Sequence, residues 1–177
     1  MADETRHSRI LIIGSGGAGK TTLARELAER LRLPLVHLDA LYWRPGWDPS
    51  PAHEWERRVR DLAAEQLWVM DGNYGGTMDL RLARCDTVIF LDMSRLRCLW
   101  RVIGRAARYA GRSRPDMPPG CRERISWDFV RWIWQYPKRR RGGILEKLAA
   151  IGDDKTVVIL TTLVAVREFL DQVPVHG

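Results

Sequence analysis

A β-branched apolar run, Arg9-Ile10-Leu11-Ile12-Ile13, leads directly into Gly14-Ser15-Gly16-Gly17-Ala18-Gly19-Lys20-Thr21, after which Leu23, Leu27 and Leu31 recur at helical spacing up to Pro34. The run predicts a strand buried on both faces of a parallel sheet. The leucines, with Ala24 and Ala28 beside them, predict a helix over about 19–33 packed on that sheet. The turn between them satisfies G-x-x-x-x-G-K-[ST] at each fixed position, in the strand-to-helix setting that this pattern requires.

The chemistry of such a turn follows from its lack of side chains. Glycines let consecutive backbone N–H groups converge on phosphate oxygens, and the first turn of the helix adds the positive end of its dipole. Gly14, Ser15, Gly16, Gly17, Ala18 and Gly19 are therefore expected to cradle a nucleoside triphosphate. Lys20 is placed to reach the β- and γ-phosphates, Thr21 to ligate Mg²⁺ through its hydroxyl, and Thr22 to contact the α-phosphate. The absence of an N-K-x-D pattern, common where guanine is recognised, makes ATP the expected nucleotide.

Strand and helix then alternate. Strands are predicted at 34–38, 67–70, 87–91 and 156–160, and helices at 51–66, 76–83 and from the last strand to about Leu170. The aromatic, Pro/Gly-containing stretch Leu41 to Trp47 reads as a loop. Helices are expected to dominate 95–150, interrupted by the turn-rich 111–120. The pattern predicts an α/β fold, a parallel sheet covered on both sides. At 177 residues there is material for one domain, 1–177, carrying an inserted element.

The first eight residues are polar, and no run of about 18 apolar residues is present, so a soluble cytoplasmic protein with no membrane association is expected. Cys85, Cys98 and Cys121 are widely spaced and odd in number, which favours plain thiols over a disulfide framework or a zinc site.

In an open parallel sheet, ligands bind outside the carboxyl ends of the strands, and Asp39, Asp71 and Asp92 each follow a predicted strand. A triphosphate-bound Mg²⁺ needs hard oxygen ligands, and an acceptor hydroxyl benefits from a carboxylate base. Asp39 and Asp71 are suited to divide these roles, with Asp39 catalytic and Asp71 on the metal, while Asp92, followed by Ser94 and Arg95, reads as an ordinary start of a helix. Asp71-Gly72-Asn73-Tyr74 is an unusual turn, and Asp39, Asp71, Asn73 and Tyr74, with Trp43 from the aromatic stretch, are expected to face the acceptor.

The charge is uneven. Residues 95–141 hold 14 Lys or Arg against Asp116, Glu123 and Asp128, a local +11 within an overall +7. Arg97, Arg101, Arg105, Arg108 and Arg112 fall on one helix stripe, with Leu96, Leu99, Val102, Ile103 and Ala106 on the other side. Like charges in such a row repel unless an anion or carboxylates meet them. Ile125, Phe129, Trp132, Ile133 and Tyr136 form a second apolar stripe suited to the core, with Trp127 and Trp134 off that face. Those two could serve as an acceptor wall, a dimer contact or a stacking platform for nucleobases.

With these residues in view, the chain resembles the adenylate-kinase-like P-loop phosphotransferases. It resembles more closely the bacterial P-loop proteins called DNA topology modulation protein (FlaR-related) or AAA-family ATPase. The closer likeness rests on the phosphate loop, on His37-Leu38-Asp39-Ala40-Leu41-Tyr42-Trp43 with Pro45-Gly46-Trp47, on Asp71-Gly72-Asn73-Tyr74, and on Gly111-Arg112-Ser113-Arg114-Pro115-Asp116-Met117. The resemblance implies a three-layer fold with a five-stranded parallel sheet and a helical, Arg- and Trp-rich lid at about 108–141. Arg101, Gly104 and Arg105 match the R-x-x-G-R stretch of adenylate kinases, which implies that Arg101 lies against adenine and that Arg105 touches phosphates and acts in catalysis. Those kinases usually follow Asp-Gly with an arginine that grips an acceptor monophosphate; here Asn73, Tyr74, Gly75 and Gly76 stand instead.

Two functions are compatible with these residues. One is an ATP- and Mg²⁺-dependent kinase acting on a small-molecule acceptor. The other is a nucleotide-gated ATPase whose basic insert binds nucleic acid, which no DNA-reading motif favours. Monomer and homodimer are both open.

Overall fold

The computed structural model describes residues 8–112, 117–122 and 126–174. They form seven strands and eight α-helices, with a 3-10 turn at Gly75–Thr77 and a π-helical turn at Pro137–Arg141: β1 Arg9–Gly14, α1 Lys20–Leu31, β2 Leu35–His37, α2 Leu38–Tyr42, β3 Trp43–Arg44, β4 Asp48–Pro49, α3 Ala52–Ala64, β5 Trp68–Asp71, α4 Met78–Arg84, β6 Thr87–Leu91, α5 Arg95–Arg108, α6 Trp127–Tyr136, α7 Gly142–Ala149, β7 Thr156–Leu160 and α8 Leu163–Gln172. Five strands form one parallel sheet in the order β2-β5-β1-β6-β7, and β3 pairs antiparallel with β4.

β1 lies at the centre of the sheet because it can be buried on both faces. Ile10 and Ile12 join α1, α5 and α8 in one core layer. Leu11 and Ile13 join α3, α4 and α7 in the other. The period-2 alternation of a strand thus divides one apolar run between two helical layers. As a result, the carboxyl ends of β1, β2 and β5 bring the phosphate loop, His37 and Asp71 to one edge of the sheet.

Two local expectations are corrected. Leu38–Tyr42 is a short helix and not the end of a strand followed by loop. Helical spacing places Leu38 and Tyr42 on one side, where Leu38 is fully buried with Trp55 and Val59, while Asp39 stays exposed. The aromatic stretch is also ordered: Trp43–Arg44 and Asp48–Pro49 form a hairpin across the three-residue loop Pro45-Gly46-Trp47, in which Trp47 N–H donates to the Arg44 carbonyl at 3.2 Å, Gly46 takes the positive φ of 82° that the third turn position needs, and Trp47 follows at φ 66°.

The two stripes of the arginine helix are each split between inside and outside. Cys98, Val102 and Ala106 are buried, and their neighbours Arg97, Arg101 and Arg105 are half-buried. Leu96, Trp100 and Ile103 face outward at 67%, 77% and 47% exposure, and Arg108 and Arg112 are exposed. Small residues win the core face because α5 presses on the phosphate loop: a Cβ on Gly17 would stand 2.3 Å from the Cys98 carbonyl oxygen. Only a thin side of the helix fits there, and the longer apolar side chains are left outside.

In α6, Ile133 and Tyr136 are buried, and Phe129 and Trp132 pack beside them. Trp127 is 84% exposed, and the Arg95 guanidinium lies 4.0 Å from the ring centre of Trp134. Ile125 and Ser113-Arg114-Pro115-Asp116 lie outside the described residues. Cys85, Cys98 and Cys121 are all buried. No helix among the described residues is long and apolar enough to cross a membrane.

Candidate functional site: a phosphate loop and its carboxylates

The loop from Gly14 to Thr21 is shaped by close contacts that exclude side chains. Gly17 and Gly19 have φ of 79° and 107°, and Gly19 opens α1 with no side-chain cap, leaving the amide end of the helix directed into the turn. Ser15 is buried, and its Oγ has no hydrogen-bond partner among the described residues. Thr22 is exposed on the first turn of α1. Gly17→Ala should destabilise the fold by about 2 kcal/mol or more, because it adds left-handed strain to a backbone overlap. Thermal denaturation of that variant against the wild type measures the effect.

Lys20 sits at the mouth of this turn. Its Nζ donates to the carbonyl oxygens of Gly14 and Ser15, each at 2.9 Å. Desolvation lowers its pKa, opposed by the charges of Asp39 and Asp71 and assisted by that of Arg105. The three acidic and basic groups named from sequence therefore act on one ammonium.

Asp71 is the hub of the carboxylate side. It is 5% exposed, accepts a hydrogen bond from the Thr21 hydroxyl at 2.9 Å through Oδ2, and pairs through Oδ1 with His37 Nδ1 at 2.7 Å. Thr21 and Asp71 were chosen from sequence; His37 was not. No signal in the sequence marks it, since the predicted strand runs on to Leu38 and only the observed register sets His37 opposite Asp71. The hard-oxygen pair of Thr21 and Asp71 suits Mg²⁺, with His37 as the group that orients the carboxylate.

Asp39 lies across the cleft and accepts a 2.7 Å hydrogen bond from the Tyr74 hydroxyl. Tyr74 is pressed among Tyr42 and Trp55, with ring centres 4.7 and 4.9 Å away, and burial together with Asp39 raises its pKa well above the usual tyrosine range. Trp43 makes edge contacts with Tyr42 and Trp47 at 4.9 and 5.5 Å. These rings form a wall beside Asp39.

The turn carrying Tyr74 is held by a residue that sequence reasoning missed. Arg81 is fully buried, and its guanidinium donates to the carbonyl oxygens of Gly72 at 2.8 Å, Asn73 at 2.6 Å, Tyr74 at 3.0 Å and Thr77 at 3.2 Å. Burial pushes its pKa down to about 10. Nothing in the sequence distinguishes this arginine from the other basic residues. Asn73, expected to face an acceptor, has its side-chain amide on the backbone either side of Gly14: Gly14 N–H donates to Oδ1 at 2.9 Å, and Nδ2 donates to the Gly14 carbonyl at 2.6 Å.

From the other side, Arg101 reaches the loop. Its Nη1 lies 2.9 Å from where a Gly19 Cβ would stand. Desolvation and then Arg97 lower its pKa, with Arg105 adding to the effect. Asp92 is drawn elsewhere: Arg141 Nε donates to both its carboxylate oxygens, at 3.0 and 2.8 Å.

No family model matches the chain, and a search of curated proteins finds no match. Solved structures do resemble it. Shikimate kinase from Acinetobacter baumannii, in complex with shikimate, aligns over 93% of this chain and 89% of its own with a TM-score of 0.60 at 18% identity. The chain shares the fold of that kinase over most of its length. Shikimate kinase from Bacteroides thetaiotaomicron gives 0.55 at 17% identity, over 93% of this chain and 95% of that one. A gluconokinase from Sinorhizobium meliloti gives 0.54 at 16%, over 93% and 90%. The expected three-layer α/β architecture with a five-stranded parallel sheet is the one observed.

Proposed function

We propose that the protein is an ATP-dependent small-molecule kinase. The observation that carries this reading is the 2.9 Å contact between the Thr21 hydroxyl and the buried Asp71 carboxylate beside Lys20, a donor set for Mg²⁺ at the mouth of a phosphate cradle. The fold shared with shikimate kinases and a gluconokinase supports it, since those proteins are named for hydroxylated small molecules.

In this reading Gly14 to Gly19 and Thr22 hold the phosphates, Lys20 and Arg105 neutralise charge that develops on them, and Arg101 lies along the nucleotide. Mg²⁺, held by Thr21 and Asp71, supplies further neutralisation of the polyphosphate. Asp39 takes the proton of the acceptor hydroxyl as its oxygen bonds to the γ-phosphorus and the bond to the ADP oxygen breaks. Tyr74 fixes the rotamer of Asp39, and Trp43 contributes to the acceptor wall. The insert at about 108–141 closes over the site; its segment from Pro118 to Arg122 already meets the β3–β4 turn, with Trp47 Nε1 donating to the Arg122 carbonyl at 2.9 Å. The narrower kinship with the FlaR-related proteins rests on the four sequence stretches quoted above.

Mg-ATP turnover by the purified protein, alone and with fractionated small metabolites, tests the reading. Turnover stimulated by a small-molecule fraction is the expected result, and no phosphorylated product from any fraction would sink it. Asp71→Asn should lower turnover about 10- to 100-fold and shift the Mg²⁺ titration to higher concentration.

A second reading is favoured by the exposed Trp100 and Trp127 and the exposed run Lys138 to Arg141, which offer stacking and phosphate contacts to single-stranded nucleic acid. Stimulation by DNA or RNA alone, steeply reduced by salt, would decide for it.

A further inference from the structure

The Gly72-Asn73-Tyr74 turn touches both halves of the cleft. Tyr74 donates to Asp39 on the acceptor side. Asn73 grips Gly14 on the other, using its oxygen for the Gly14 N–H and its amide nitrogen for the Gly14 carbonyl. The two bonds fall on the consecutive peptide units either side of the Gly14 Cα, so together they fix those planes relative to each other, and with them the φ and ψ of Gly14, in a way that a single hydrogen bond cannot. The same Gly14 carbonyl also accepts from Lys20 Nζ. The turn itself cannot drift, because the Arg81 guanidinium is bonded to the carbonyl oxygens of all three of its residues and is fully buried.

We propose that Asn73 is a positioning residue that sets the phosphate loop, through the two peptide units flanking Gly14 and the Lys20 ammonium bonded to the Gly14 carbonyl, from the acceptor-side turn. The inference rests on the nucleotide reading above. Its physical content is pre-organisation. A glycine-rich loop has many conformations open to it, and a site whose N–H groups already converge loses less affinity to ordering than one that must be assembled on binding. Asn73 supplies that constraint from outside the G-x-x-x-x-G-K-[ST] pattern. It also gives a covalently short path, Tyr74 to Asn73, between the carboxylate facing the acceptor and the loop facing the triphosphate.

The test is equilibrium binding of Mg-ATP and of AMP to the wild type, Asn73→Leu, Asn73→Asp and Lys20→Ala, with the thermal midpoint of each. Leucine keeps the volume and removes both hydrogen bonds. Aspartate keeps the bond to the Gly14 N–H, sets an oxygen against the Gly14 carbonyl and draws Lys20 toward itself. The expected result is Mg-ATP affinity about tenfold weaker in both Asn73 variants, with AMP affinity changed by less than about twofold, because only the polyphosphate depends on the loop. Should Asn73→Leu not fold, Asn73→Asp carries the test alone. Folded variants that bind Mg-ATP like the wild type would overturn the proposal, as would equal weakening of Mg-ATP and AMP, which marks a general structural role. Wild type that does not bind Mg-ATP, or Lys20→Ala that binds it equally well, overturns the nucleotide reading itself and this role with it.

Discussion

Lys20→Ala should reduce Mg-ATP turnover on the order of 10²- to 10³-fold, the loss seen when one pre-organised charge-stabilising donor is removed from an active site. The ammonium stands at 2.9 Å from two loop carbonyls, and desolvation lowers its pKa against the opposing pull of Asp39 and Asp71. Alanine removes that charge and leaves two carbonyl oxygens lining the cradle. Because Lys20 is half-buried and bonds loop carbonyls instead of the helical layers of the core, the fold should survive, with a modestly lowered thermal midpoint. Steady-state turnover and thermal denaturation on the same preparation check both halves. Undiminished turnover would mean that the phosphate loop is not where the chemistry occurs.

Arg81→Met should have the largest effect on stability, roughly 3 kcal/mol or more. For a chain of this size that corresponds to a fall of about 6–12 °C in thermal midpoint. Methionine fills much of the space but donates nothing to the four carbonyl oxygens that the guanidinium satisfies. Arg81→Lys should recover only part of the loss, since a single ammonium cannot span carbonyls that a planar fork reaches together. Chemical denaturation of the three proteins gives the comparison, and a cost below about 1 kcal/mol for methionine would show that water replaces the guanidinium. Loosening of this turn should also weaken Mg-ATP binding, because Asn73 and Tyr74 are carried on it.

The helix α5 shows why periodicity alone assigns an inward face poorly. Its two stripes were legible as stripes, but not which residues of each would face inward. Tertiary contact decided this, because the helix meets a glycine loop where a Gly17 Cβ would be 2.3 Å from a backbone oxygen. The half-buried arginines then line the loop and Leu96, Trp100 and Ile103 stay outside. The α2 segment is similar: a strand-like pattern gave way to a turn of helix that buries Leu38 and leaves Asp39 at the cleft.

By itself the sequence determined the central strand, the glycine turn that follows it and the α/β alternation, because each depends on local spacing: a buried strand on an apolar run, a tight strand-to-helix turn on glycines at set positions, a helix on leucines every fourth residue. It also named Thr21 and Asp71, since strand ends in a parallel sheet converge. Only the tertiary structure decided that His37 pairs with Asp71, that the Asn73 amide is directed at Gly14, and that Arg81 is buried beneath the turn. The physical reason is distance along the chain. These contacts join residues from 7 to 59 positions apart, and whether a polar side chain meets water, a ligand or a backbone carbonyl depends on what the folded sheet brings opposite it.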